Sequence, residues 1–136
     1  MAAILERTRA SRQSVNGLVL GIESTAHTLS VGSVGLDGTL YPSYSAVFHP
    51  EEGGIHPREA ADHHSEAASS LLTNIGSSEG FDWSSVNAVA FSQGPGLGPC
   101  LRIGASVARS LSRSLDVPLI GVNHCVAHIE VGRNQT

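Results

Sequence analysis

The chain reads as an α/β protein with a mixed sheet, in which a β-meander leads into alternating helices and strands. Three observations carry that reading. Three strand-like runs stand close together near the start, with Asp37-Gly38 between the second and the third. Two later stretches repeat apolar residues at helical spacing, and short apolar runs follow or separate them. Asp-Gly between strand-like runs marks a hairpin, whereas strand–helix–strand order implies parallel, right-handed crossovers.

The elements follow in order. "GLVLGIE" (17 to 23) is a short apolar run ending in an acid, the pattern of a buried strand. "HTLSVGSVG" (27 to 35) and "TLYPSYSAVF" (39 to 48) complete the meander. Pro42 cannot donate to a sheet ladder, so it pushes the third strand towards an edge. "HPEEGGIHP" (49 to 57) is a loop, and Pro57 suits the first position of a helix. From there Ala60, His64, Ala68, Leu71, Leu72 and Ile75 recur at helical spacing. "VNAVAF" (86 to 91) reads as a second buried strand, and "SQGPGLGP" (92 to 99) breaks the chain sharply. Leu101, Ala105, Ala108, Leu111 and Leu115 mark a second helix, and "PLIGV" after it reads as a third buried strand.

Composition narrows the class. The 136 residues suffice for one domain, 40% of them hydrophobic and 15% charged, with mean hydropathy +0.04. No apolar stretch approaches the roughly 18 residues of a membrane span. The formal net charge is −4, so bulk electrostatics do not advertise nucleic-acid binding. Cys100 and Cys125 form no CxxC pair, and both are expected as buried thiols in a reducing cytosol. Residues 1 to 16, which carry Arg7, Arg9 and Arg12, are expected to be a disordered extension.

The segment "GVNHCVAHIE" (121 to 130) is the chemical focus. Asn123 stands where the N-cap of a helix would stand after the third strand. His124 and His128 then lie about one turn apart on one face. Two imidazoles so spaced are a common half-site for zinc or iron, and the helix start favours the neutral, ligating form. The spacing alone equally allows two unrelated polar residues. The pattern is not H-E-x-x-H, because Cys125 occupies the place of the general-base Glu and Glu130 lies well off that face. A metallopeptidase therefore lacks its base.

Three further stretches could border a site. "SQGPGLGP" runs from a strand end to a helix start, where backbone N–H groups can receive an anion, and Arg102 follows in the first helical turn. It matches neither common phosphate-loop pattern, and a Gly/Pro turn explains it too. "GIEST" (21 to 25) ends a buried strand, and such strand ends often border the ligand cleft, so Glu23 and Ser24 are candidates to face it. "GIHPREAADHHSE" (54 to 66) holds three histidines, but His63 and His64 point about 100° apart and cannot both face one metal, so a surface or partner-facing helix is the simpler reading.

Taken together, "GIESTAHT", "HPREAADHHSE", "FSQGPGLGPCLRIG", "VARSLS" and "GVNHCVAHIE" resemble one family, from about residue 18 to the end of the sequence. It is that of the tRNA N6-adenosine threonylcarbamoyltransferases in their archaeal and eukaryotic branch, formerly called O-sialoglycoprotein endopeptidases. The resemblance implies an actin-like ATPase (ribonuclease H-like) fold of two lobes, with residues 17–136 as the first lobe and the second absent. It implies transfer of a threonylcarbamoyl group from threonylcarbamoyl-adenylate to the N6 amine of the adenosine 3′ of the anticodon in tRNA. It places the family's metal pair, for iron or zinc, on His124 and His128. Glu23, Ser24, Gly94, Gly96 and Gly98 would then lie near substrate or its phosphate. The remaining metal ligands and the adenosine pocket belong to the second lobe, so the 136 residues alone are expected to be inactive. Expected partners are the other subunits of a KEOPS-type complex in the cytoplasm. They include a small dimerising subunit on the helices 57–76 and 98–115 and a kinase-like subunit. A non-catalytic assembly module is the rival reading. Ser24 departs from the Gly that many relatives carry.

Overall fold

The structure is a computed structural model that describes residues 17–54 and 56–134. The extension expected over residues 1–16 lies outside the described residues. Five strands form one sheet: β1 (Leu18–Glu23), β2 (Thr28–Gly35), β3 (Tyr44–Val47), β4 (Val86–Gly94) and β5 (Leu119–Asn123). Their order is β3-β2-β1-β4-β5. The β1–β2 and β2–β3 pairs are antiparallel, and the β1–β4 and β4–β5 pairs are parallel. The predicted meander and the predicted parallel units are both present. Three helices accompany the sheet: α1 (Pro57–Gly76), α2 (Gly98–Leu115) and α3 (His124–Asn134).

The hairpin turn sits where Asp37-Gly38 placed it. Gly38 has φ of 90°, a left-handed conformation that favours glycine, and the Gly35 N–H reaches Thr39 O at 2.7 Å. Only an isolated bridge from Val34 to Leu40 follows, and regular pairing resumes at Tyr44, after Pro42. β3 is therefore shorter than the run 39 to 48, and it lies at the sheet edge as proline requires.

One sheet face carries the core. Leu18, Leu20 and Ile22 alternate along β1 with half-buried residues, and they meet Leu29 and Val31 of β2. Leu71 and Ile75 of α1 and Ala108 and Leu115 of α2 close over them. The small residues Cys100, Gly104, Ala108 and Ser112 form the buried stripe of α2, while Leu101, Ala105 and Leu111 flank it half-buried. Small side chains let this helix lie close to the strands beneath.

Two expectations need correction. "PLIGV" is not a buried strand: β5 is the other edge of the sheet, hydrogen-bonded on one side only, and Ile120 is 44% exposed. Only Cys100 is a buried thiol, since Cys125 stands exposed on α3. Among the described residues, no helix is long and apolar enough to cross a membrane.

Candidate metal site

Because β1, β4 and β5 run parallel, their C-terminal ends share one edge of the sheet. That edge gathers Glu23 from β1, the loop after Gly94 from β4, and Asn123 leading into α3. At Asn123 the side chain caps the helix as expected. Its Oδ1 accepts from the N–H groups of Cys125 at 2.9 Å and Val126 at 3.1 Å. The first turn of α3 is thereby fixed, and it carries His124.

His124 and His128 lie side by side, with ring centroids 4.5 Å apart and planes at 87°. Their Nε2 atoms are 3.2 Å apart. Two imidazole nitrogens, each about 2.0–2.1 Å from one tetrahedral zinc, stand about 3.3 Å apart. The pair is therefore spaced for chelation. His124 Nδ1 donates to Glu23 Oε2 at 3.0 Å, which assigns its proton to Nδ1 and leaves the Nε2 lone pair facing His128. In the metal-free pair, His128 Nε2–H donates to that lone pair, so a metal would displace this proton. Two nitrogens do not complete a site. Among the described residues no group of three or more His, Cys, Asp or Glu side chains could hold a metal.

Glu23 is held from two directions. Its Oε1 accepts the Thr25 N–H at 2.6 Å while Oε2 takes His124. Burial, the largest single influence, works to raise the Glu23 carboxyl, but the bonds from Thr25 and the neighbouring His124 together outweigh it, so it stays below its ordinary value. A carboxylate that remains charged is the acceptor an imidazole Nδ1–H needs. Glu23 and His124 also border an open cavity of about 330 Å³ on the sheet face that α1 and α2 leave bare, with Gly21, Ser30, Phe91 and Val122 on its walls.

The other sequence candidates fall differently. Ser24 does not turn its side chain to a cleft. It is 0% exposed, and its Oγ faces Gly104, where an added Cβ would stand 2.0 Å away. α2 thus packs closely on the turn and covers the hydroxyl. Gly94 has φ of 140°, and an added Cβ at Gly96 would lie 2.6 Å from Thr25 O. Those two glycines let the "SQGPGLGP" loop fold onto the "GIEST" turn, and the Leu97 N–H bonds Thr25 O at 2.7 Å. Gly98 opens α2, whose N-cap residue Leu97 offers no side-chain cap, and an added Cβ there would lie 3.8 Å from an Arg102 guanidinium nitrogen. The two motifs thus form one layer beside Glu23.

Sequence reasoning placed Glu23 near the cleft but did not join it to His124. The signal was available in part: an acid at the end of one parallel strand and a histidine just past another share an edge.

Comparison with known proteins now bears on this arrangement. The family "TsaD: tRNA N6-adenosine threonylcarbamoyltransferase" matches residues 42–136. The tRNA N6-adenosine threonylcarbamoyltransferase of Archaeoglobus fulgidus is 54% identical over 119 residues, covering 88% of this chain and 36% of that protein. A probable bifunctional tRNA threonylcarbamoyladenosine biosynthesis protein of Methanosarcina acetivorans is 51% identical over 120 residues, covering 86% of this chain and 22% of that one. In structure, YeaZ from Pseudomonas aeruginosa aligns with TM-score 0.62 at 21% identity, covering 79% of this chain and 44% of that chain. The latter likeness supports the actin-like, ribonuclease H-like fold alone. The chain spans about a third or less of the length of these curated relatives. With its motifs, its fold and more than half its length matched, the chain belongs to the tRNA N6-adenosine threonylcarbamoyltransferase family.

Proposed function

We propose that residues 17–136 form the first lobe of a two-lobed, metal-dependent transferase. It would help move a threonylcarbamoyl group from threonylcarbamoyl-adenylate to the N6 amine of the adenosine 3′ of the anticodon in tRNA. The family membership supports the reaction class. The observation that carries the metal role is the 3.2 Å separation of the His124 and His128 Nε2 atoms, with His124 oriented by Glu23. Iron or zinc bound there would supply Lewis-acid polarisation of a substrate oxygen. The chain's own residues do the rest. Glu23 holds the Nδ1 proton of His124, Asn123 fixes the helix that presents both rings, and the Gly94–Gly98 loop lies against the Glu23 turn. The missing ligands and the adenosine pocket would come from the second lobe, in the cytoplasm.

Two measurements test this. Titration with Co²⁺ should give weak binding that both His124→Ala and His128→Ala abolish, and a double variant that titrates like the parent would sink the metal role. The 136 residues alone should incorporate no labelled threonine into tRNA when threonylcarbamoyl-adenylate is supplied. Addition of a relative's second lobe should restore activity that depends on both histidines. Robust turnover by the 136 residues alone would refute the need for both lobes.

One observation favours an assembly role as well. A groove of about 660 Å³ runs between α1 and α2, walled by Ala68, Leu72, Trp83, Val107 and Leu111 among small polar residues. It suits the small dimerising subunit of a KEOPS-type complex, with a kinase-like subunit further out. Leu72→Glu should abolish binding of the small subunit, and undiminished binding would exclude this groove. A peptidase gains no support, since Cys125 holds the place of the general base and Glu130 pairs with Arg133 at 2.9 Å.

A further inference from the structure

Three consecutive residues after β1 are each tied by a different element. The Ser24 N–H donates to Ser92 Oγ of β4 at 3.1 Å. Thr25 O accepts from Leu97, just before α2, at 2.7 Å. Ala26 O accepts from His64 Nε2 of α1 at 2.7 Å. This short turn follows Glu23 directly, and its Thr25 N–H is also the donor to Glu23 Oε1. The third tie is the unusual one, because it comes from a histidine with no exposure at all.

Burying an imidazole is costly unless its nitrogens are engaged. Both are engaged here. With Nε2–H given to Ala26 O, Nδ1 must be the acceptor, and His63 Nδ1 faces it at 3.1 Å as donor. The tautomer of His64 is thus determined by its two partners. Ala60 and Ala61, both buried, let α1 come close enough for the ring to reach across. Helix packing alone would be served as well by leucine at this position. A histidine adds one thing leucine cannot, a directed donor to the Ala26 carbonyl.

We propose that His64 is a positioning residue for the metal pair, holding the turn after β1 so that Glu23 meets His124 Nδ1. The assignment rests on the reading of His124 and His128 as ligands only for its consequence on metal affinity. Its consequence on the His124 tautomer is independent of any metal. His64→Leu removes the donor. His64→Asn keeps polarity but is too short to place its amide at the Nε2 position. His64→Gln puts an amide nitrogen close to that position.

The test is long-range ¹H–¹⁵N NMR of the histidine rings in the metal-free protein, followed by Co²⁺ titration of the same samples. The parent should show His124 as the Nδ1–H tautomer. In His64→Leu and His64→Asn that tautomer should give way to a mixture, and His64→Gln should return it. Should His64→Leu fail to fold, the comparison of Asn with Gln carries the test. Affinity for Co²⁺ should fall on the order of 10-fold in the Leu and Asn variants, the lower end for loss of an outer-shell partner. A His124 tautomer unchanged in both Leu and Asn variants would overturn the positioning role, whatever their stability. Absence of Co²⁺ binding in the parent would overturn the metal reading instead, leaving the tautomer result to decide on His64.

Discussion

The packing of α2 against the turn after β1 turns on Gly104. A Cβ at that position would stand 2.0 Å from Ser24 Oγ and 3.0 Å from Ser24 Cβ. Rotation of the hydroxyl relieves the first contact only, because the Cβ is fixed by a backbone that Ser92 already holds. Overpacking a closed site costs about 1–3 kcal/mol, and contacts this short belong in the upper part of that range. Alanine in place of glycine inside a helix returns about 1 kcal/mol. Gly104→Ala should therefore destabilise the protein by about 1–2 kcal/mol. Ser24→Gly removes both obstructing atoms, so in that background the same change should stabilise by up to about 1 kcal/mol. The coupling between the two sites is then about 2–3 kcal/mol, measurable from urea unfolding midpoints of the four proteins at constant m. A coupling below about 0.5 kcal/mol would mean that α2 does not press on Ser24, and the account of its burial would fail.

Two other outcomes are expected. Asn123→Ala removes the acceptor for two N–H groups and should destabilise α3 by about 1 kcal/mol, read as faster amide exchange at Cys125 and Val126. Unchanged exchange there would refute the cap. Stability should also depend on pH through His64. Burial lowers its pKa below 6.5; the bond to Ala26 opposes this, and His63 and His27, the titratable groups facing it, add to the lowering. The unfolded chain then binds the proton more readily, so the contribution of neutral His64 is fully present above about pH 6.5 and is lost as pH falls below it. The urea midpoint should drop between pH 7.5 and 5.5, and His64→Gln should reduce that drop. An equal drop in both proteins would remove His64 as its source.

Elements whose signal is local were legible in the residues. Asp37-Gly38 marked the turn, Pro42 sent β3 to an edge, Pro57 opened α1, and Asn123 capped α3. Each of these depends on what one or two residues do to their own backbone. What failed to show depends on pairing across the chain. "PLIGV" has the apolar content of a central strand, and only the sheet order makes it an edge. His64 sits on an apolar stripe, yet its acceptor lies 38 positions earlier in a loop. Nothing near His64 in sequence announces that partner, although the helical spacing did place the ring on the buried stripe.

The candidate site follows the same division, and its physical logic explains why. The ligand spacing of His124 and His128 is a property of one helical turn, so it was visible from the residues alone. Their orientation is a property of the sheet. Glu23 lies 101 residues from His124, and the two meet because β1, β4 and β5 are parallel and end together. A parallel sheet collects the ends of distant segments at one edge, which is why ligand sites gather there. At that edge the carboxylate fixes one ring, the ring presents its lone pair to a second, and the turn bearing the carboxylate is tied to β4, α2 and α1. The half-site is thus specified locally in its ligands and globally in its aim. Mutations remote from His124 can then act on it by moving Glu23.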